Sequence, residues 1–319
     1  MLPQNEIIGI RPGQGISRVP AARAILTAQS WRGKCTMAPT DASDLIRSGE
    51  RSRLIPVVAD MSKEERAISP LLAAFSVVPT FAHSMLQEVG GPTNQRAAVR
   101  CFSQVVFKGA PTDKRLRPDG FIEVDSGRKV WRAIVEAKVG GAELSGEQVE
   151  SYLDLAKQLG IDALITVSNQ FATVPTHHPI VVSKQKLRSV ELYHFSWLAI
   201  LTKARLLSDD RRIDDTEQAF ILKELIRYLS HESSGVCQMT RLGKEWKEVC
   251  TKTQTGTPIG KTDADTAAVV SQWHQLTRYL ALELSAAIGK SVDVWLPRSH
   301  AKEPARRLAE VPDSRPALF

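Results

Sequence analysis

Three residues of types that perform hydrolytic chemistry lie close together in the sequence: Asp119, Glu136 and Lys138. Asp119 stands in an Arg-Pro-Asp-Gly segment at the entrance to a predicted strand, and the other two lie near the end of the next strand. Because side chains alternate across a strand, Glu136 and Lys138 share one face. The hairpin brings Asp119 alongside, so two carboxylates and an ammonium group are expected at one end of a sheet.

This set of groups favours a particular reaction. Two converging carboxylates can hold Mg²⁺, with Mn²⁺ as an alternative, because such ions prefer hard oxygen ligands. A neighbouring ammonium can orient or help to deprotonate a water, and the metal stabilises charge on a phosphate. We therefore predict hydrolysis of a phosphodiester bond, with Asp119 and Glu136 as metal ligands and Lys138 positioning the attacking water.

Gln148 and Tyr152 stand four residues apart on the helix predicted from Ser145 to Leu159, so they project from one face of it. Ser145 and Gln148 match a capping box, and Gly160 is a predicted C-cap. Each motif alone is common in structural roles. Their order along the chain makes the set specific.

This ordered set resembles the PD-(D/E)xK nuclease superfamily, within it the RecB-like branch. The matching segments are Pro118-Asp119-Gly120, Glu136-Ala137-Lys138, and the pair Gln148 and Tyr152. The resemblance covers roughly residues 60–200. It implies a restriction-endonuclease-like fold, a backbone carbonyl ligand from Ala137, and a role for Gln148 and Tyr152 in positioning DNA or the active site. Residues 63–194 are also similar to bacterial proteins labelled stress-response proteins.

The superfamily often adds an acidic ligand from its first helix. Glu88, just before a Gly-Gly-Pro break, is the best candidate for that role. Glu65, Glu123 or no further ligand are the alternatives, and a solvated carboxylate at a helix end is the structural explanation of Glu88.

Periodicity predicts the elements that position these residues. A capping box of Ser62 and Glu65 starts a helix, Pro70 and Pro79 divide the following segment into short helical pieces, and Gly90 ends it. Strands are predicted at 99–107, 121–124, 129–139 and 163–167, with a turn at 125–128 and a fifth strand at 180–182 or 190–193. The fold class is α/β, with a mixed sheet flanked by helices.

Four regions follow from this pattern. Residues 1–55 are predicted to be a poorly ordered leader, 56–208 a nuclease-like domain, 209–296 a helical region and 297–319 a basic tail. Helices are predicted at 197–207, 215–229 and 266–288.

The net charge of +7 favours a polyanionic partner, although charge alone fits a generic basic surface equally well. Two basic clusters are candidates for phosphate contacts: Lys114, Arg115 and Arg117, and an alternating strand of Lys184, Lys186 and Arg188. Three histidines, His177, His178 and His194, could line a metal or phosphate site, but a structural role is favoured because no zinc-binding spacing is present.

No apolar stretch reaches the roughly 20 residues that span a bilayer, so no membrane segment is expected. Cys35, Cys101, Cys237 and Cys250 form no C-x-x-C pair, which favours free thiols and a cytoplasmic location. The expected function is a Mg²⁺-dependent deoxyribonuclease. The alternative is an inactive nuclease-fold protein that binds nucleic acid or a protein partner in stress response or phage defence. The oligomeric state is open, with a homodimer as one option.

Overall fold

The structure, a computed structural model, describes residues 44–56, 63–109, 116–210, 212–236, 243–258, 260 and 263–302. Within these ranges the strands form one mixed sheet in chain order: β1 (Ile46–Arg51), β2 (Ala98–Phe107), β3 (Gly120–Asp125), β4 (Val130–Ala137), β5 (Ala163–Ser168) and β6 (Glu191–Ser196). Strands β1 to β4 are antiparallel neighbours, whereas β4, β5 and β6 pair in parallel. The predicted α/β class is confirmed.

The hairpin of β3 and β4 follows the predicted alternation. Phe121 lies opposite Ile134 in one buried cluster, and Ile122 lies opposite Ala133 in the other. The turn closes where it was predicted, with Gly127 at φ 78° and its N–H donating to Asp125 Oδ1 at 2.8 Å. Because the two residue pairs belong to different buried clusters, side chains pack on both faces of the hairpin.

Helices cover the two faces of the sheet. On one face, α1 (Lys63–Val77), α2 (Pro79–Leu86) and α4 (Trp197–Asp209) share a core with the strands. On the other, α3 (Gly146–Leu159) packs on Phe121 and Ile134. The helix predicted from Ser62 begins at Lys63 among the described residues, although Ser62 lies outside them. Gly90 follows the 3-10 turn after α2 with φ 69°, as its predicted role as a stop requires.

The prediction that Pro70 divides the first helix is wrong, because α1 continues through it. Proline lacks the N–H that would bond the carbonyl of Arg66 one turn earlier. The Tyr228 hydroxyl donates to that carbonyl at 3.1 Å. A tertiary donor thus acts where the helical one is missing, while Pro79 opens α2 as expected.

The fifth predicted strand is β6, which corresponds to the second of its two predicted positions. The predicted basic strand is wrong: residues 186–188 form a 3-10 turn instead. Lys186 is paired there with Asp154 at 2.7 Å and Glu150 at 3.5 Å, both on α3. Lys114 and Arg115 lie outside the described residues.

The C-terminal part is helical, as expected: α5 (Thr216–Ser230), α6 (Glu245–Gln254), α7 (Ala264–Ile288) and the short α8 (Arg298–Lys302). Asp215 caps α5 by accepting hydrogen bonds from Glu217 N and Gln218 N. Helix α6 and strand β1 were not predicted, and β1 falls within the segment expected to be a leader.

Within the described ranges no single helix is long and apolar enough to cross a membrane. Helix α1 and the segment 79–89 are long and apolar enough only when taken together, and the chain bends by 107° between them.

Candidate active site

Asp119 directly precedes β3, and the register of the hairpin carries it to the level of Glu136 on β4. Its Oδ2 accepts a hydrogen bond from the N–H of Ala137 at 2.8 Å. Gly120 beside it lies close to α1, since a Cβ at this position would come too close to Leu72 Cδ1 and force that buried side chain to shift. In the Pro-Asp-Gly motif, Asp119 supplies the carboxylate and Gly120 lets α1 pack closely against the start of β3.

Lys138 is tied to Glu136 by its side chain and to the fold by its backbone. Its Nζ donates to Glu136 Oε1 at 2.5 Å. Its N–H donates to Val167 O at 2.8 Å, and its carbonyl accepts from Trp197 Nε1 at 2.8 Å. The Glu136 side chain is 2 % exposed and that of Lys138 18 %, so the ammonium lies on the open side of the pair.

Helix α3 contributes the two remaining predicted residues. Gln148 Nε2 donates to Glu136 Oε1 at 2.8 Å, and the Tyr152 hydroxyl lies beside the same carboxylate, where it offsets a small part of the rise in pKa that burial causes. The predicted capping box is wrong, because Ser145 makes no side-chain cap bond within the described part of the chain. The C-cap at Gly160 is confirmed, with φ 66°.

The electrostatics of the site favour added positive charge. Burial, and after it the charge of Glu136, raises the pKa of Asp119 well above its usual range. Burial also raises the pKa of Glu136, although Lys138 opposes that shift. Burial alone would lower the pKa of Lys138, but the Glu136 and Asp119 carboxylates outweigh it and raise it. One ammonium does not fully compensate two buried carboxylates.

The donor set fits a hard divalent cation. Among the described residues Glu136 Oε2 is buried without a hydrogen-bond partner. The Asp119 carboxylate is a direct neighbour of the Glu136 carboxylate. No group of three or more Asp, Glu, His or Cys side chains suited to a metal occurs in the described ranges. Two carboxylates are a common protein contribution to Mg²⁺, whose other ligands are waters and substrate phosphates.

Two acidic residues near α1 and α2 differ in their relation to the site. Glu88 is paired with Lys203 at 2.6 Å. After the larger effects of burial and of the Glu136 and Asp119 carboxylates, the charge of Glu64, in the first turn of α1, adds a small contribution that raises the pKa of Asp119 and that of Lys138. The sequence signal for Glu64 is the predicted helix start, which places it in the first turn beside Glu65.

The two alternatives for the extra ligand have other neighbours. Glu65 lies near Arg117 and Glu50, which act on its pKa. Glu123 is buried between two arginines, with Arg100 at 2.5 Å and Arg132 at 2.9 Å.

A buried polar network adjoins the site. Thr166 lies on β5, where it is paired with Glu136 on β4 and with His194 on β6. Its hydroxyl is 2.8 Å from His178 Nε2 and 2.9 Å from His194 Nδ1. Burial lowers the pKa of His178 to about 4 and that of His194 to about 3. Both imidazoles are therefore neutral at pH 7, in keeping with a structural role.

No family model matches the chain, and neither a curated protein nor a solved structure matches it.

Proposed function

We propose that this protein is a metal-dependent nuclease with a restriction-endonuclease-like core, hydrolysing phosphodiester bonds in DNA. The observation that carries the proposal is the convergence of five side chains from three elements. Asp119 is bonded to the backbone beside Glu136, and Lys138 and Gln148 both bond Glu136 Oε1. Tyr152 completes the set.

Asp119, Glu136 and the carbonyl of Ala137 would hold Mg²⁺ or Mn²⁺. When bound, the cation would supply electrostatic stabilisation of the charge that develops on the phosphate. Lys138 would orient the attacking water and hold a proton on Nζ, since its pKa is raised. Gln148 fixes the orientation of the Glu136 carboxylate, and Tyr152 packs beneath it with only 1 % of its surface exposed.

A polyanionic substrate agrees with the net charge of +7, because a cationic surface raises the local concentration of nucleic acid. DNA rather than RNA follows from the resemblance to PD-(D/E)xK nucleases. A role in stress response or phage defence belongs to the alternative of an inactive nuclease-fold protein.

The direct test is cleavage of supercoiled plasmid in the presence of Mg²⁺ or Mn²⁺. Wild-type protein should nick the plasmid, and Asp119→Ala and Lys138→Ala should not. Lys129→Ala is the matched control, because Lys129 also pairs with a carboxylate, Asp162 at 2.7 Å, but on an exposed turn. Equal cleavage by all four proteins would mean that a contaminant or another site is responsible.

The inactive-scaffold alternative makes the opposite prediction for metal binding. Titration calorimetry with Mn²⁺ should show binding to the wild type and weaker binding to Asp119→Asn. Absence of both metal binding and cleavage would favour a protein that only binds nucleic acid or a protein partner.

A further inference from the structure

The segment that follows Lys138 is held by a contact from the helical region. The chain leaves β4 through Val139, Gly140 and Gly141, and Gly140 adopts φ 61°. Two consecutive glycines give this segment more conformational freedom than any other pair of residues would. External contacts must therefore fix its path.

One side chain organises those contacts. The N–H of Gly140 donates to the carbonyl of Gly235 at 2.8 Å. The Asn169 carboxamide donates from Nδ2 to Gly140 O at 3.0 Å and to Gly235 O at 2.8 Å. Both backbone groups of Gly140 are thus engaged, and Asn169, directly after β5, joins them to Gly235.

Gly235 belongs to the helical region and packs closely against the segment that follows β4. It ends the 3-10 turn after α5 with φ 74°, a conformation that favours glycine. A Cβ there would lie 3.0 Å from Val139 Cβ and 3.1 Å from Gly140 N. Both the positive φ and the short distances to Val139 and Gly140 therefore disfavour any side chain at position 235.

We infer that Asn169 is a positioning residue for Lys138, and that through Asn169 and Gly235 the helical region controls the geometry of the active site. The inference rests on the proposed function for its catalytic consequence. Lys138 lies two residues before Gly140, and its carbonyl is anchored to Trp197. Release of Gly140 removes the support of the chain on the C-terminal side of this anchor, so that Lys138 Nζ is held less closely to Glu136.

Asn169→Ala and the shape-preserving Asn169→Asp both remove the two hydrogen bonds that Asn169 Nδ2 donates to the carbonyls of Gly140 and Gly235. The matched control is Asn94→Ala, since Asn94 Nδ2 also donates to a backbone carbonyl, Ser126 O at 3.4 Å, on the β3–β4 turn. Hydrogen exchange at the Gly140 amide should accelerate about tenfold or more in both Asn169 variants. It should stay at the wild-type rate in Asn94→Ala.

The kinetic readout is the split between kcat and KM in plasmid cleavage at saturating Mg²⁺. The kcat of both Asn169 variants should fall by about tenfold to a hundredfold with KM unchanged, because misplacement by about 1 Å has effects of this size. Gly235→Ala should shift kcat in the same direction.

The two readouts separate the possible failures. Unchanged exchange at Gly140 in both Asn169 variants would overturn the inference, as would faster exchange with full kcat. A wild-type protein that cleaves nothing would refute the proposed nuclease function, while the exchange measurement would still decide whether Asn169 and Gly235 hold the segment.

Discussion

Gln148, in the first turn of α3, donates its side-chain hydrogen bond to Glu136 Oε1 at 2.8 Å rather than folding back on Ser145. In a capping box the Gln148 amide oxygen would accept from the N–H of Ser145, whereas here its Nε2 donates to a carboxylate, and hydrogen bonds to charged groups contribute about twice as much as neutral ones. The tertiary partner therefore outweighs the local cap. Gln148 is connected to the chemistry through the orientation of Glu136.

Gln148→Ala should lower kcat by about 10- to 100-fold, since a hydrogen bond to a charged group is worth roughly 1.5–3 kcal/mol. Plasmid nicking under single-turnover conditions measures the effect. Gln158→Ala on the same helix is the control, because Gln158 bonds the carbonyl of Gly109 at an exposed position. Equal rates for the two variants would remove Gln148 from the site.

Asp119→Asn should stabilise the metal-free protein while abolishing cleavage. The folded-state pKa of Asp119 is raised by burial and by Glu136, so its ionisation reduces stability as the pH rises through its unfolded pKa of about 3.9. Asparagine removes that cost at pH 7, so the Tm of the metal-free variant should lie above that of the metal-free wild type.

Thermal melting with and without Mg²⁺ checks this expectation. Mg²⁺ should raise the Tm of the wild type more than that of Asp119→Asn, because a ligand stabilises a folded protein according to how tightly it binds. Asp125→Asn, at the other end of β3, is the control and should respond to Mg²⁺ like the wild type. A lower Tm for Asp119→Asn without metal would contradict the argument.

Glu64→Gln should weaken metal binding, and Glu88→Gln should not. Glu64 acts on both Asp119 and Lys138, whereas Glu88 is occupied by Lys203. Loss of a nearby anionic group should raise the Mn²⁺ concentration for half-maximal cleavage by about tenfold. The reverse ranking of the two variants would restore Glu88 as the acidic residue of the site.

The central part of the site was predictable because its determinants are local. Strand alternation and the Gly127 turn are sufficient to align Asp119, Glu136 and Lys138. The position of Glu64 was not predictable in the same way. It depends on how α1 approaches the sheet, which is set by the packing of Leu72 over Gly120.

The unpredicted elements share a scarcity of buried side chains. Strand β1 has only Ile46 fully buried, and it pairs with β2, a segment distant in sequence. Helix α6 has no buried residue among those described and lies against α7. Periodicity reports burial, so an exposed element gives no such signal.

Acid should destabilise the fold through His194 and His178. Both are neutral when folded, with pKa values lowered to about 3 and about 4, but become protonated on unfolding below pH 6.5. Their contribution is therefore complete above pH 6.5 and is lost as the pH falls toward these values. Each histidine contributes a slope of up to about 1.4 kcal/mol per pH unit, down to about pH 4 for His178 and about pH 3 for His194.

Urea unfolding at pH 7, 6 and 5 measures the acid effect. His194→Asn should flatten the dependence, even if it lowers stability at pH 7. His231→Asn is the control, since this exposed histidine bonds only local groups. An unchanged slope in His194→Asn would show that other groups cause the acid sensitivity.

The hydroxyl of Tyr228 on α5 and the proline within α1 should be energetically coupled through Arg66. Because Pro70 has no N–H to offer, the Arg66 carbonyl accepts from Tyr228 at 3.1 Å. Tyr228→Phe should cost about 1 kcal/mol in the wild-type background, the usual value of such a bond. In a Pro70→Ala background the restored amide can take over, so the same change should cost markedly less. A double-mutant cycle by urea unfolding gives the coupling directly, and additive costs would mean that Tyr228 does not replace the missing helical donor.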